Sequence, residues 1–244
     1  LLVSSAASDV YKRQFCVWPA TMTGNDPDGE NKRTVRQYSA DYIKGFLDKL
    51  TSDYKFEAIY FDDDTFNIGN KHTVEISKVA GKYNIPWFAM CRADTCKKEN
   101  WKIMRDNGCK GVKIGIESGS QYVVDKIVNK HLDLDYTNQL VDHLRSLNMS
   151  VHGTFTYGLP GETKEQMLQT KEFIKRTNFN TVQESGTAEI EGTPLHTLNT
   201  KDLKNYPGAS INTEYDRQKD GGKKWQSLVT VSYTHLTLPT IPGV

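Results

Sequence analysis

Residues 150–166 read SVHGTFTYGLPGETKEQ, and they hold one strand-to-helix unit in full. Residues 150–157 form a short β-rich run that predicts a strand. Gly158, Pro160 and Gly161 then punctuate the chain. Thr163 followed by Gln166 has the spacing of a capping box and predicts a helix over 164–177. A strand that ends in a tight turn and feeds a helix is the repeating piece of a βα series.

The same piece recurs on both sides. β-rich runs occur at 56–62, 87–92, 111–117, 150–157 and 181–186, and their starts are 31, 24, 39 and 31 residues apart. One βα unit takes about 30 residues. Helical patterns fill the gaps at 40–50, 71–83, 97–107, 121–129, 134–147 and 164–177, with Gly108 placed as a left-handed stop and Pro86 just past another helix end. The nearly continuous apolar run 56–62 predicts a strand buried on both faces. The fold class is therefore α/β with a parallel sheet. Periodicity leaves open whether that sheet curls into a barrel or lies open and doubly wound. In both cases ligands meet the strand C-termini. That rule selects Asp62, Asp63, Asp64, Arg92, Asp94, Glu117, Ser118 and the 158–162 turn.

Composition narrows the partners. The 244 residues carry 31 Lys+Arg against 30 Asp+Glu, a formal charge of +1 that gives no general attraction to nucleic acid or to an anionic membrane. With 37% hydrophobic residues and no apolar run of the roughly 18 residues that a membrane span needs, no integral membrane segment is expected. Four cysteines without a secretion signal read as reduced thiols or metal ligands, which predicts a cytoplasmic setting. Residues 1–14 and 230–244 continue no pattern beside them and resemble translated sequencing-adapter read-through, so the expected division is a core over 15–198, a polar segment over 199–229 and non-native ends.

Individual motifs are weak alone. The acidic turn Asp62-Asp63-Asp64 could hold a cation or an ammonium group, or be a solvated turn. Gly115-Ile116-Glu117-Ser118-Gly119-Ser120 turns from strand to helix, with glycines that let backbone approach a ligand and a carboxylate that can accept from its donors. Cys91, Cys96 and Cys109 fit no closed zinc spacing and read as buried thiols. His152 either lines a cavity or packs.

In order, FCVWPATM (15–22), IYFDDDTF (59–66), GIESGS (115–120) and HGTFTYGLPGET (152–163) resemble the radical S-adenosylmethionine (SAM) superfamily, in particular its branch with a cobalamin-binding domain and members similar to hopanoid-biosynthesis and magnesium-protoporphyrin-ester cyclase enzymes. The resemblance implies a partial (β/α)6 TIM-like barrel whose first strand is missing here. It implies a [4Fe-4S] cluster on C-x3-C-x2-C, reductive cleavage of SAM to an adenosyl radical, an electron donor such as flavodoxin or ferredoxin, and cobalamin, where used, on a domain ahead of the barrel. The substrate would be a small molecule, lipid-like or tetrapyrrole-like. Carried over by position, Cys16 is the metal ligand, Asp62, Asp63 and Asp64 face the SAM amino group, Arg92 either its carboxylate or a nearby Asp in a structural ion pair, Glu117 and Ser118 its ribose or methionine part, and Gly153, Phe155, Gly158 and Pro160 its adenine. Gln183 falls in the sixth-strand region, and Glu191 stands where relatives have proline. The partners of Cys16 in the cluster motif would sit at 13 and 9, where the chain has Arg13 and Asp9, so the polypeptide is expected to be inactive as written. The alternative is a noncatalytic (β/α) domain that binds a small molecule. A tRNA-modifying enzyme ranks lower, because no basic patch accompanies the motifs.

Overall fold

A computed structural model of the chain describes residues 37–55, 57–159 and 161–187. Its elements are α1 (Ala40–Asp53), β1 (Ile59–Phe61), α2 (Asn70–Gly81), β2 (Trp87–Cys91), α3 (Lys98–Asp106), β3 (Cys109–Glu117), a π-turn (Val123–Ile127), α4 (Leu134–Ser146), β4 (Ser150–Tyr157), α5 (Lys164–Arg176) and β5 (Thr181–Gly186). All neighbouring strands pair in parallel, and the order across the sheet is β1-β2-β3-β4-β5. A doubly wound sheet reverses its order at a switch point, whereas this one advances in one direction, so right-handed crossovers stack every helix on the same face. That is the architecture of a partial barrel, and it resolves the alternative that periodicity left open.

Local chemistry explains the boundaries. The hydroxyl of Ser39 caps α1 and the carboxylate of Asp133 caps α4. Thr163 and Gln166 close both halves of the capping box at α5, as the sequence predicts. Gly108 takes φ 95° after α3, a conformation that costs a glycine nothing. Two expectations are corrected. The strand expected over 56–62 is only Ile59–Phe61, and Tyr60 is largely exposed, because β1 is the edge of the described sheet and lacks a second neighbour there. The helix expected over 121–129 is a π-turn, in which Val128 donates to the Val123 carbonyl at 2.8 Å.

Burial divides each strand into two sides. On β4, Val151, Gly153, Phe155 and Tyr157 are buried while Ser150, His152, Thr154 and Thr156 keep some exposure. The buried side packs on the helices: Phe155 meets Phe173 of α5 and Phe179 edge to face, with ring centroids 6.2 and 5.7 Å apart. Farther along, Phe61, Phe66 and Trp87 form a second aromatic group with centroids 5.1 to 5.5 Å apart. Leu47, Ile76, Trp101, Met104, Val141 and Leu144 complete this continuous layer. The other side of the strands faces the barrel lumen. Register carries the division across the sheet, since residues paired in a parallel ladder share a face: Met90, Lys113, His152 and Thr181 form one row.

The turn after β3 packs closely against α5. A Cβ on Gly119 would lie 2.5 Å from the Phe173 Cβ and 2.7 Å from the Thr170 Cα. Gly119→Ala therefore forces α5 away from the sheet, at a cost of about 2 kcal/mol from overpacking. A denaturant-unfolding midpoint unchanged by this substitution would contradict the packing described.

Candidate functional site

The C-terminal rim of the sheet is built from three turns. After β1, Asp62 is exposed, Asp63 is buried and Asp64 is partly buried. The turn is held to β2 by a hydrogen bond from the Phe66 amide to the Met90 carbonyl at 2.8 Å, and Asn67 exchanges two hydrogen bonds with the backbone of Arg92. Arg92 itself directs its guanidinium at Asp94, with Nε and Nη2 at 2.9 and 2.8 Å from the two carboxylate oxygens. A bidentate pair of this kind fixes both side chains. Of the two partners open to Arg92 from the sequence, a SAM carboxylate or a nearby Asp, the fork is engaged by the Asp.

After β3 the chain enters an unusual conformation. Glu117 has φ 75°, in the left-handed region that non-glycine residues rarely occupy, directly after an irregularity between Gly115 and Glu117 in the pairing of β3 with β4. The carboxylate turns into the lumen, where Oε1 accepts from Lys130 Nζ at 2.9 Å and Oε2 from the Thr156 hydroxyl at 3.3 Å. Lys130 comes from above. The π-turn, Asn129 at φ 55° and His131 at φ 51° form a strap whose ends are tied by Gln121, which donates to the Leu132 carbonyl and accepts from the Leu134 amide. Arg92 Nη2 donates to the Lys130 carbonyl at 3.2 Å. The lysine then reaches over Gly115 and donates to its carbonyl at 2.7 Å. A side chain at 115 would fill that approach, since a Cβ there would lie 3.0 Å from Lys130 Nζ. Nothing in the sequence pattern announced Lys130. Its partner appears only once the strap folds back on β3.

Ser118 and Gly119 turn away from the lumen. The Ser118 hydroxyl lies 3.0 Å from the Thr170 hydroxyl on α5 and accepts from the Ser120 amide, so it locks the β3 turn to a helix. The turn after β4 is held by Glu162, which is 3% exposed and whose Oε2 accepts from the amides of Gly158 at 2.7 Å and Leu159 at 3.2 Å. Gly158 and Gly161 adopt φ 70° and 85° in this turn. Gly153 and Phe155 lie on the helix side of β4, where a Cβ on Gly153 would lie 2.9 Å from the Phe179 ring. Pro160 and Cys16 lie outside the described residues.

The described thiols are Cys91, Cys96 and Cys109, and all three are free. Cluster binding uses thiolates, whereas burial pushes the Cys96 thiol up to about 11 and the Cys109 thiol up to about 12, and holds Cys91 well above its usual range. No group of metal-binding side chains occurs among the described residues. The three described cysteines thus offer no ligand set for a [4Fe-4S] cluster, and positions 9, 13 and 16, to which the motif points, lie outside the described residues.

Fold and rim together define a parallel partial barrel with its polar groups gathered at the strand C-termini. The radical SAM superfamily model matches residues 14–174, and the chain belongs to that superfamily. It is 28% identical over 204 residues to cytidylyl-2-hydroxyethylphosphonate methyltransferase of Streptomyces wedmorensis, which covers 79% of this chain and 37% of that protein. It is 29% identical over 163 residues to an uncharacterized methyltransferase of Pyrococcus horikoshii, covering 66% of the chain and 35% of the relative. The chain thus spans little more than a third of the length of these curated relatives. Among solved structures, the radical SAM methyltransferase TsrM of Kitasatospora setae, with cobalamin and a [4Fe-4S] cluster bound, superposes with TM-score 0.64 at 16% identity over 79% of this chain and 34% of that one. The cobalamin-dependent SAM radical enzyme OxsB gives TM-score 0.54 at 17% identity over 80% of this chain and 28% of that one. At these identities the two superpositions establish the fold.

Two outcomes follow from the site. Lys130→Met removes the cation from a carboxylate whose side chain is 13% exposed, the lysine being 4% exposed, and should cost about 3 kcal/mol in denaturant unfolding. His72, His143 and His152 are all held below the usual imidazole range, each first by burial. The unfolded chain therefore binds protons at these sites before the folded one does. Stability present above about pH 6.5 is lost as the pH falls below that value. His152→Gln should flatten that slope in urea titrations from pH 7 to pH 5, and an unaltered slope would count against it.

Proposed function

We propose that this chain is the SAM-binding and substrate-binding barrel of a methyltransferase in the cobalamin-assisted part of the superfamily. The observation that carries the reading is the rim: a carboxylate turn after β1, the strained Glu117 after β3 and the Glu162-clamped turn after β4 converge on one end of a parallel barrel. The two relatives that match over the longest stretches are named methyltransferases, which favours methyl transfer over the cyclase-like and hopanoid-like chemistry that the motifs first suggested. Cobalamin would be carried on a part of the protein outside this stretch, consistent with the small share of each relative that the chain spans.

In this reading Asp64 accepts from the SAM ammonium group, because Asp63 is buried within the protein and Asp64 keeps exposure. Glu117 accepts from the ribose hydroxyls, its carboxylate already aimed into the lumen by the backbone at φ 75°. The Glu162 clamp keeps the Gly158 turn flat enough for an adenine ring to lie against backbone. Gly153 and Phe155 support this surface from behind by setting how closely β4 approaches Phe179. Lys130 and the strap cover Glu117 and keep bulk water from it. The polypeptide as written binds SAM without assembling the cluster, because Asp9 and Arg13 are not thiolate donors. That same pair of residues is what favours the second reading, a barrel that holds a small molecule without turnover.

Isothermal titration with SAM is expected to show saturable binding, with Asp64→Asn and Glu117→Gln each weakening it about tenfold by loss of a charge-assisted hydrogen bond. Absence of binding by the folded chain overturns the site. After anaerobic reconstitution, iron and sulfide are expected to stay well below one cluster per chain, and the double substitution Asp9→Cys with Arg13→Cys to bring them to a full [4Fe-4S] complement. A full, stable cluster in the unaltered chain refutes the ligand argument.

A further inference from the structure

The acidic turn after β1 and the strap over Glu117 meet the same residue at the end of β2. The chain leaves β1 at Phe61, which pairs with Ala89, and returns at Phe66, whose amide donates to the Met90 carbonyl at 2.8 Å. The turn is thus pinched at its base against consecutive residues of one strand. Asn67, fully buried, then continues the ladder with its side chain. Its Oδ1 accepts from the Arg92 amide at 3.0 Å and its Nδ2 donates to the Arg92 carbonyl at 2.7 Å. The backbone of Arg92 is therefore fixed to the turn that carries Asp62, Asp63 and Asp64.

The side chain of Arg92 leaves that anchored point for the other half of the rim. Asp94 takes Nε and Nη2 at 2.9 and 2.8 Å, and a fork on one carboxylate fixes the plane of the guanidinium. Nη2 carries a second proton, and Nη2 also donates to the Lys130 carbonyl at 3.2 Å. The atoms that would clasp a ligand carboxylate side-on are thus already engaged by Asp94.

The segment that Arg92 holds is one that needs holding. Asn129 and His131, on either side of Lys130, have φ 55° and 51°, conformations that persist in residues with a Cβ only where their surroundings impose them. The amide of Lys130 donates to the Val124 carbonyl at 2.8 Å, its carbonyl accepts from Arg92, and its amine holds the Gly115 carbonyl and Glu117. A shift of the carbonyl carries the amine with it, because both belong to one residue. The acidic turn and Glu117 are therefore joined through Asn67, Arg92 and Lys130, and each step is a hydrogen bond of 3.2 Å or less.

We infer that Arg92 is a positioning residue of the SAM site: its guanidinium holds the Lys130 strap, and with it the Glu117 carboxylate, at a fixed separation from the acidic turn, and does not itself clasp the SAM carboxylate. The inference rests on reading the rim as the SAM site and adds to it the residue that spaces its two halves. A ligand that reaches from an ammonium group to a ribose binds best where both ends are placed beforehand. Lysine cannot take over this role. A single ammonium on a flexible stem has no planar fork with which to hold Asp94 and aim a further proton at the Lys130 carbonyl.

The test uses the full chain and two probes, SAM and 5'-methylthioadenosine, which keeps the adenine and ribose but has neither the carboxylate nor the ammonium group. Calorimetry on Arg92→Met is expected to show both probes weakened by a similar factor, about fivefold, as for substitutions along a coupled network. Arg92→Lys should not restore binding. Asp94→Ala should reproduce the loss, and the double variant should be no worse than either single one, because both remove the same tie. Lys171→Met, which breaks a partly buried ion pair with Glu184 on the helix side of the sheet, should leave both affinities unchanged. Hydrogen exchange over 128–134 should quicken in the Arg92 and Asp94 variants and stay as it is in Lys171→Met. Loss of SAM affinity with 5'-methylthioadenosine spared overturns the inference, because Arg92 would then be a ligand of the carboxylate. Unchanged affinities in Arg92→Met, full binding by Arg92→Lys, equal loss in Lys171→Met, or exchange over 128–134 unmoved by Arg92→Met overturns it too. Binding of neither probe by the folded chain would instead sink the reading of the rim, and the exchange result alone would then decide whether the tie from Arg92 to the strap stands.

Discussion

A parallel strand can offer only every second side chain to a given face, and in this sheet one face is committed entirely to helices. That constraint governs everything else. Val151, Gly153, Phe155 and Tyr157 are taken by packing against α5 and Phe179, so chemistry on β4 can use only Ser150, His152, Thr154 and Thr156. The same parity gives β3 its Lys113, Gly115 and Glu117. The advancing strand order keeps the described crossover helices off the lumen side, and the polar residues of the strands remain there.

Within that frame, one local departure from regularity does most to shape the rim. Glu117 sits in the left-handed region at the end of β3, a conformation that costs on the order of 1 kcal/mol for a residue with a Cβ. The return is a carboxylate aimed across the lumen at Thr156 and Lys130. A buried ion pair of this kind contributes little net stability against an apolar alternative, although breaking it is expensive. Its value lies in geometry. It fixes the strap carrying Lys130, and through the Lys130 carbonyl it joins the β3 turn to Arg92 and its own partner Asp94.

Much of the fold was legible in the sequence because its signals are local. The β-rich run over 150–157, the capping box at Thr163 and Gln166, and Gly108 at a helix end each depend on a few adjacent residues, and all three stand in the structure as read. The edge strand was overread, since FEAIYFD is apolar whether or not a neighbour covers both sides, and hydrophobicity alone carries no count of neighbours. The site was legible as a region and less so as residues. Asp64 and Glu117 lie at strand ends and could be found by position, whereas the burial of Ser118 against Thr170 and the fork of Arg92 on Asp94 depend on contacts over 52 and 2 residues that no spacing rule distinguishes from ligand contacts. Lys130 was missed because its meaning comes from Gly115, 15 residues earlier. His152 could be placed on a strand, and only the register with Thr181 shows that it faces the lumen.

The π-turn before Lys130 has a consequence for how such barrels can diverge. Its wide hydrogen bond from Val128 to Val123 accommodates one residue more than a regular α-turn would. Deleting a single residue there would let the segment relax to an ordinary α-helix. Everything after the deletion would then rotate by about 100° about the helix axis. The amine now over Gly115 would swing off the lumen, leaving Glu117 uncovered while the sheet and its core stayed as they are. One codon gained or lost at this point thus exchanges a capped rim for an open one, a change in ligand access that requires no new fold and no substitution in any strand.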